Sequence, residues 1–192
     1  GKEEGISKWY FPDGLLSIEW NYFRGIRSGI SKWYYETGEL WAEQYYIDGV
    51  LDGITYTFYK TGEKQGEWNY VKGQLNGISK TFYQTGETEV ERNFINGVLQ
   101  GKSVVYHKNG YVALEANYVN DKLEGDLLIY DSSDFLRVKD RYKNDQLLDR
   151  TRFDILGKFE SLEKWERNYH KNGVLKDEVF VKDGVKDGKM KI

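Results

Sequence analysis

The chain has 192 residues, enough for one large domain or one array of repeats. Hydrophobic residues make up 39% and aromatics 16%, with Gly at 21 and Pro at 1, so a core must be built from Tyr, Trp and Phe, and tight glycine turns replace disordered linker. A net charge of −3 with both signs interspersed leaves no basic footprint for nucleic acid, no apolar run nears the ~18 residues of a membrane helix, and the absence of Cys excludes disulfides, thiolate chemistry and zinc–thiolate sites.

The first predicted element is a hairpin. "GISKWYFPDGLLSIEWNYFRGIRSG" from Gly5 holds two runs of strand-forming residues between glycines, and a near copy starts at Gly29. Glycines this frequent would interrupt any helix. The period of Gly5 and Gly29 continues through Gly53, Gly77, Gly101 and Gly125, then Asp149. A second column holds Gly14, Gly38, Gly62, Gly86 and Gly110, with Asp134; a third holds Gly25, Gly49, Gly73 and Gly97, then Asp121 and Asp145. Asp and Asn tolerate left-handed backbone, so these exchanges are expected to keep the turn. The single repeat domain 1–192 therefore has units from about 5, 29, 53, 77, 101 and 125. An irregular unit follows at 149–163 and a last one at 164–188, where "YHKNG" at 169–173 repeats 106–110.

The first turn of each unit can be specified. Pro12, Asp13 and Gly14 fit a type I turn followed by a left-handed glycine, the three-residue hairpin loop with a glycine bulge. "ETG", "KTG", "QTG" and "KNG" fit the same mould, which pairs Tyr35 with Glu39. An unbroken register then puts Ile30, Lys32, Tyr34, Leu40, Ala42, Gln44 and Tyr46 on one face. Ser31, Trp33, Tyr35, Glu39, Trp41, Glu43 and Tyr45 take the other.

In that register Ser31 lies opposite Glu43. Ser7–Glu19, Thr55–Glu67, Ser79–Glu91 and Ser103–Glu115 repeat the pair, so a hydroxyl donating to a carboxylate would account for both columns. A row of carboxylates for cation or acid–base work is the sharper reading, but neighbours would lie on the order of 10 Å apart. Leu51, Leu75, Leu99, Leu123 and Leu147 in the connectors are expected to tuck under the sheet, so each hairpin gains its cover from the next. About sixteen strands result.

No catalytic set emerges. His107 and His170 stand where other units carry Phe11, Tyr35, Tyr59 and Tyr83, as exposed substitutes for an aromatic. The candidate binding residues are aromatic: Trp9, Trp33 and Trp41, with Trp33 and Trp41 directly opposed, beside a ladder of Phe11, Tyr35, Tyr59 and Tyr83. The ladder either stabilises a thin sheet by stacking or presents an exposed surface for protein anchors, sugars or cations.

With its tyrosines, glycines and acidic column in phase, the pattern G-x-x-x-x-Y-Y-x-x-G-x-L-x-x-E-x-x-Y-x-x-G-x-x-x-G resembles the MORN repeat, in the bacterial variant of YwqK-type antitoxin-like proteins. Units one to five follow it almost throughout; unit six keeps the tyrosines without the glycines. The resemblance implies an all-β fold, a repeat array of stacked antiparallel hairpins in one long twisted open meander sheet. It implies a scaffold for contact with no catalytic residues, cofactor or metal to carry over.

The expected function is a non-catalytic protein-interaction scaffold, antitoxin- or immunity-like or associated with the cell envelope. The alternative is a binding module for cell-wall glycan, choline or lipid headgroups. A protein partner is expected, nucleic acid is not, and membrane contact is left open but not indicated. The unpaired sheet edges invite end-to-end self-association, with Lys-rich "VKDGVKDGKMKI" protecting one of them. The lack of Cys and a start four residues before the first repeat favour an exported or envelope location, with a cytoplasmic one left open.

Overall fold

Two kinds of turn alternate along the chain, and both require left-handed backbone. In a computed structural model that describes residues 2–186, the fold is all-β and its nineteen strands are antiparallel, four of them two-residue stubs. Among the described residues there is no helix. The chain divides into two compact units, Gly1–Leu99 and Gln100–Ile192, and the division falls within the strand Val98–Tyr106. Within each unit the hairpins follow one another as an open meander.

The first turn is the expected one. Tyr35 N–H donates to the Glu39 carbonyl at 2.8 Å and Gly38 N–H to the Tyr35 carbonyl at 2.9 Å, with Gly38 at φ 97°. The same pair of bonds recurs at Phe11, Tyr59, Tyr83, His107, Asp131, Asp154 and His170. The second turn has two residues, both with positive φ, such as Asp48 at 48° and Gly49 at 82°. This is the type I′ geometry, whose twist matches that of the flanking strands. Asp121, Asp134 and Asp145 hold φ near 65° in place of glycine, as expected. Asp149 does not: it lies in the extended strand Gln146–Phe153.

Each second turn is fastened to the connector before it. Gly49 N–H donates to Arg27 O, Gly73 to Leu51 O and Gly97 to Leu75 O, each at 2.7 Å. Its left-handed neighbour is capped by a side chain twenty residues earlier: Arg24 N–H by Glu4 Oε2 at 2.8 Å, Asn120 by Gln100 Oε1 and Asn144 by Glu124 Oε2, both at 2.9 Å. The leucines expected as loop plugs are instead half-buried strand residues. Leu51 faces Tyr46, Leu75 faces Tyr70, Leu123 faces Tyr118 and Leu147 faces Tyr142.

The register departs from the expected one. Tyr34 faces Leu40, but Trp33 faces Ala42, Lys32 faces Glu43 and Ser31 faces Gln44, which leaves Trp41 as an extra residue. The same bulge recurs in the hairpins that begin at Gly5, Gly53, Gly77, Gly101 and Gly125. A one-residue slip moves every later side chain to the other face. One face therefore carries Ile30, Lys32, Tyr34, Leu40, Glu43 and Tyr45; the other carries Gly29, Ser31, Trp33, Ala42, Gln44 and Tyr46.

The slip overturns the Ser–Glu pairs. Glu19 pairs with Lys8 at 2.9 Å, Glu43 with Lys32 at 3.4 Å and Glu91 with Lys80 at 2.6 Å. Ser31 is fully buried and Thr55 and Ser79 nearly so, and their hydroxyls have no hydrogen-bond partner. What selects a small residue is the space needed by the long side chain directly opposite. Ser7 faces Trp20, Ser31 faces Gln44, Thr55 faces Trp68 and Ser79 faces Arg92. One step along, Gly5, Gly29, Gly53 and Gly77 face Tyr22, Tyr46, Tyr70 and Phe94.

In the second unit the strand Phe159–Tyr169 runs without a break through 163 and 164, which the sequence placed in different units. It pairs with Gln146–Phe153 on one side and Leu175–Lys182 on the other. A second turn is missing there, so one strand stands where two were expected and the terminal hairpin is turned over. Glu178, opposite Arg167, lies on the face that carries Glu163 and Asp140, whereas Glu115 lies on the other. Gly188 and the second half of the Lys-rich end lie outside the described residues.

Because its hydroxyl bonds nothing, Ser31→Ala should change stability by no more than about 0.5 kcal/mol. A urea melt shifted by more than about 1 kcal/mol would instead imply a hydrogen bond to a carboxylate.

Candidate binding face

The bulge decides which aromatics share a surface. Trp9 faces Ile18 and Trp33 faces Ala42, so both lie on the small-residue face of the first unit. The Trp9 and Trp20 rings stand 4.3 Å apart between centroids, tilted by 53°, and Trp20 meets Tyr22 at 6.4 Å. The Arg27 guanidinium lies 4.0 Å above the Trp20 ring and 4.8 Å from that of Tyr46, linking the first hairpin to the second. Trp9, Trp20, Arg27 and Tyr46 thus form a continuous row. Sequence reasoning singled out only Trp9 of these, because the unbroken register separates Trp9 from Trp20. One signal was present: Arg27 occupies the position that Leu51 and Leu75 hold in the next units.

Trp41 is not opposed to Trp33. It sits on the bulge, 45% exposed, with its ring 6.5 Å from that of Tyr35. The ladder expected beside it is a set of struts. Tyr35 Oη donates to the Phe58 carbonyl and Tyr59 Oη to the Phe82 carbonyl, both at 2.8 Å, so each turn holds the hairpin that follows. Phe11 and Tyr83 are half-buried at the matching positions. His107 continues the series. Its Nε2 lies 3.1 Å from the Tyr130 carbonyl, an acceptor, so Nε2 carries the proton. His107 is half-buried rather than exposed, whereas His170 is exposed.

The opposite face carries exposed Ile6, Ile30, Ile54 and Ile78 beside charged groups that are internally paired. Glu67 is paired with Lys64, and Glu115 lies 2.6 Å from Lys102, so each glutamate of the acidic column has a lysine partner. Tyr34 Oη also donates to Glu19 Oε2 at 3.0 Å. Burial, reinforced by that carboxylate, pushes the Tyr34 phenol up to about 12. The hydrogen bond from Lys8 comes first in holding Glu19 below the usual carboxylate range. Among the described residues no group of three His, Asp or Glu is placed to hold a metal ion.

Residues 3–23, 27–48, 51–72 and 75–96 match the MORN repeat variant. The first unit is thus similar to an array of MORN-type repeats, modules that generally bind or scaffold rather than catalyse. The hairpins beginning at Gly101 and Gly125 keep the same pairings beyond the matched segments. No curated protein matches the chain.

Tyr35→Phe removes one hydrogen bond between hairpins and should cost about 1 kcal/mol in chemical denaturation. Stability should also fall at both ends of the pH scale. The Glu19 contribution is present above the ordinary value of 4.5 and is lost as pH falls through its lowered folded value. The Tyr34 contribution is intact below its ordinary value of 10.0 and is lost as pH rises towards about 12. Melting temperature against pH should lose part of its acid limb in Glu19→Gln and part of its alkaline limb in Tyr34→Phe.

Proposed function

We propose that the chain is a non-catalytic scaffold that holds a protein partner on the aromatic face of its first unit, in an antitoxin-like, immunity-like or cell-envelope role. The row of Trp9, Trp20, Arg27 and Tyr46, with Trp33 on the same face, carries this reading. Trp, Tyr and Arg are the residues that anchor protein interfaces. Here Trp20 faces Ser7, Tyr46 faces Gly29 and the Arg27 guanidinium lies over both rings, so little side-chain freedom is lost on contact.

A choline or other cationic ligand needs open ring faces. Those of Trp20 and Tyr46 already receive Arg27, that of Tyr35 receives Lys60, and those of Tyr56 and Phe82 receive Lys64. A net charge of −3 gives no attraction to anionic lipid. Both observations favour a protein over a headgroup.

The test is to purify a partner captured from source cells and titrate it by calorimetry against the wild type and a Trp9→Ala/Trp33→Ala double variant. The double variant should lose about 2 kcal/mol or more of binding, roughly thirtyfold in Kd. Equal affinity would remove the aromatic face from the interaction. Tryptophan fluorescence should stay flat when choline is added.

A further inference from the structure

We infer that the face of the first unit opposite the aromatic row is the interface of a symmetric dimer, covered by the same face of a second copy. The two faces of the sheet are not covered alike. On the aromatic face Tyr22, Tyr46 and Tyr70 are half-buried. At the same level of the other face Ile30, Ile54 and Ile78 are 46%, 45% and 57% exposed. Across two successive second turns Phe23 faces Ile26 and Ile47 faces Val50. Phe23 and Ile47 lie two residues on from Asn21 and Tyr45, so these pairs share the face of Ile30. All four are exposed, as is Val71. Together these side chains offer on the order of 900 Å² of apolar surface, beyond the ~300–600 Å² patch of a typical monomer and close to the ~800 Å² that each side of a standard interface buries.

The relief of this face matches itself. Ile30, Ile54 and Ile78 recur every second strand, about 10 Å apart. Between them the side chains lie low. Asn21 Nδ2 lies 3.0 Å from where a Cβ of Gly29 would stand, and Tyr45 Cδ1 lies 3.4 Å from that of Gly53. A depression of about 350 Å³ opens between Ile30 and Ile54, with Tyr45 and Gly53 among its walls. Ridge and trough thus alternate with one period. Such a surface fits its own copy when the order of repeats is reversed, because the ridges of each sheet then enter the troughs of the other.

The dyad of that pairing runs along the strands. Second turns lie over second turns, and the mean strand directions stay within about 30°, as in sandwiched sheets. The Lys32–Glu43 and Lys80–Glu91 pairs lie nearer the first turns and form the rim. The contact therefore has an apolar centre and a charged border, the usual anatomy of a stable interface.

Sedimentation equilibrium on the purified chain tests this. The wild type should weigh twice one chain, and Ile30→Asp/Ile54→Asp should weaken the dimer at least about a hundredfold. Both positions are exposed, so the variant should keep the circular dichroism of the wild type. Val50→Lys, at a second turn, should weaken the dimer about tenfold and serves as an independent variant. A wild type that is monomeric at every concentration would overturn the proposal, as would a dimer whose affinity both variants leave unchanged. A monomer that floats with phosphatidylcholine vesicles would assign the face to lipid and overturn it equally. Dimer mass is read without any captured partner, so its failure leaves the reading of the aromatic face untouched.

Discussion

A small residue facing a large one across the ladder is the constraint on which this fold depends. A hairpin meander is one layer thick and has no second sheet to cover it, so its aromatic rings must lie on their neighbours. Glycine opposite Tyr22, Tyr46, Tyr70 and Phe94, and serine or threonine opposite Trp20, Gln44, Trp68 and Arg92, leave the room they need. Burial reflects this: Ser31, Ser79, Ala116, Ser161, Ala42 and Thr55 are among the most buried residues, Asp140 is buried in its pair with Arg150, and among the described residues no large hydrophobic side chain is fully buried. Room is also needed along a strand: Gly66 faces Thr57 and Thr81, and a Cβ there would meet Nε1 of Trp68, two residues further on, at 2.7 Å.

Links between hairpins come from groups at the turns. Tyrosine hydroxyls and one imidazole donate to the carbonyls of the following hairpin, while side chains of one connector cap the left-handed residue of the next second turn. Because each contact joins neighbours only, the arrangement can be lengthened without redesign, in keeping with a repeat protein whose units lend one another stability. The MORN-type match to the first four hairpins and the same pairings in the hairpins from Gly101 and Gly125 fit this logic.

The turns were legible in the sequence because left-handed backbone leaves a chemical mark: Gly14, Gly38 and Gly62, or Asp134 in their place, announce it. The pairing of Tyr35 with Glu39 followed at once. The bulge was illegible because the extra residue needs no particular side chain; it is Ser17, Trp41, Gln65, Glu89, Ala113 and Arg137 in turn. Missing it reversed the faces beyond that point, which split Trp9 from Trp20 and wrongly joined Ser31 to Glu43. The aromatic character of the candidate surface was therefore readable, but its membership was not. Asp149 misled for a related reason: acidic residues mark left-handed turns only where a turn exists.

The shared strand Phe159–Tyr169 has a consequence for how such chains can change over time. Duplicating or deleting a full hairpin preserves strand parity, so everything downstream keeps its orientation. Losing half a hairpin exchanges inside and outside for whatever comes after. Here that inversion falls after Gln146–Phe153, so Glu178 shares a face with Asp140 and not with Glu115. Insertions and deletions among homologues should accordingly come in whole periods.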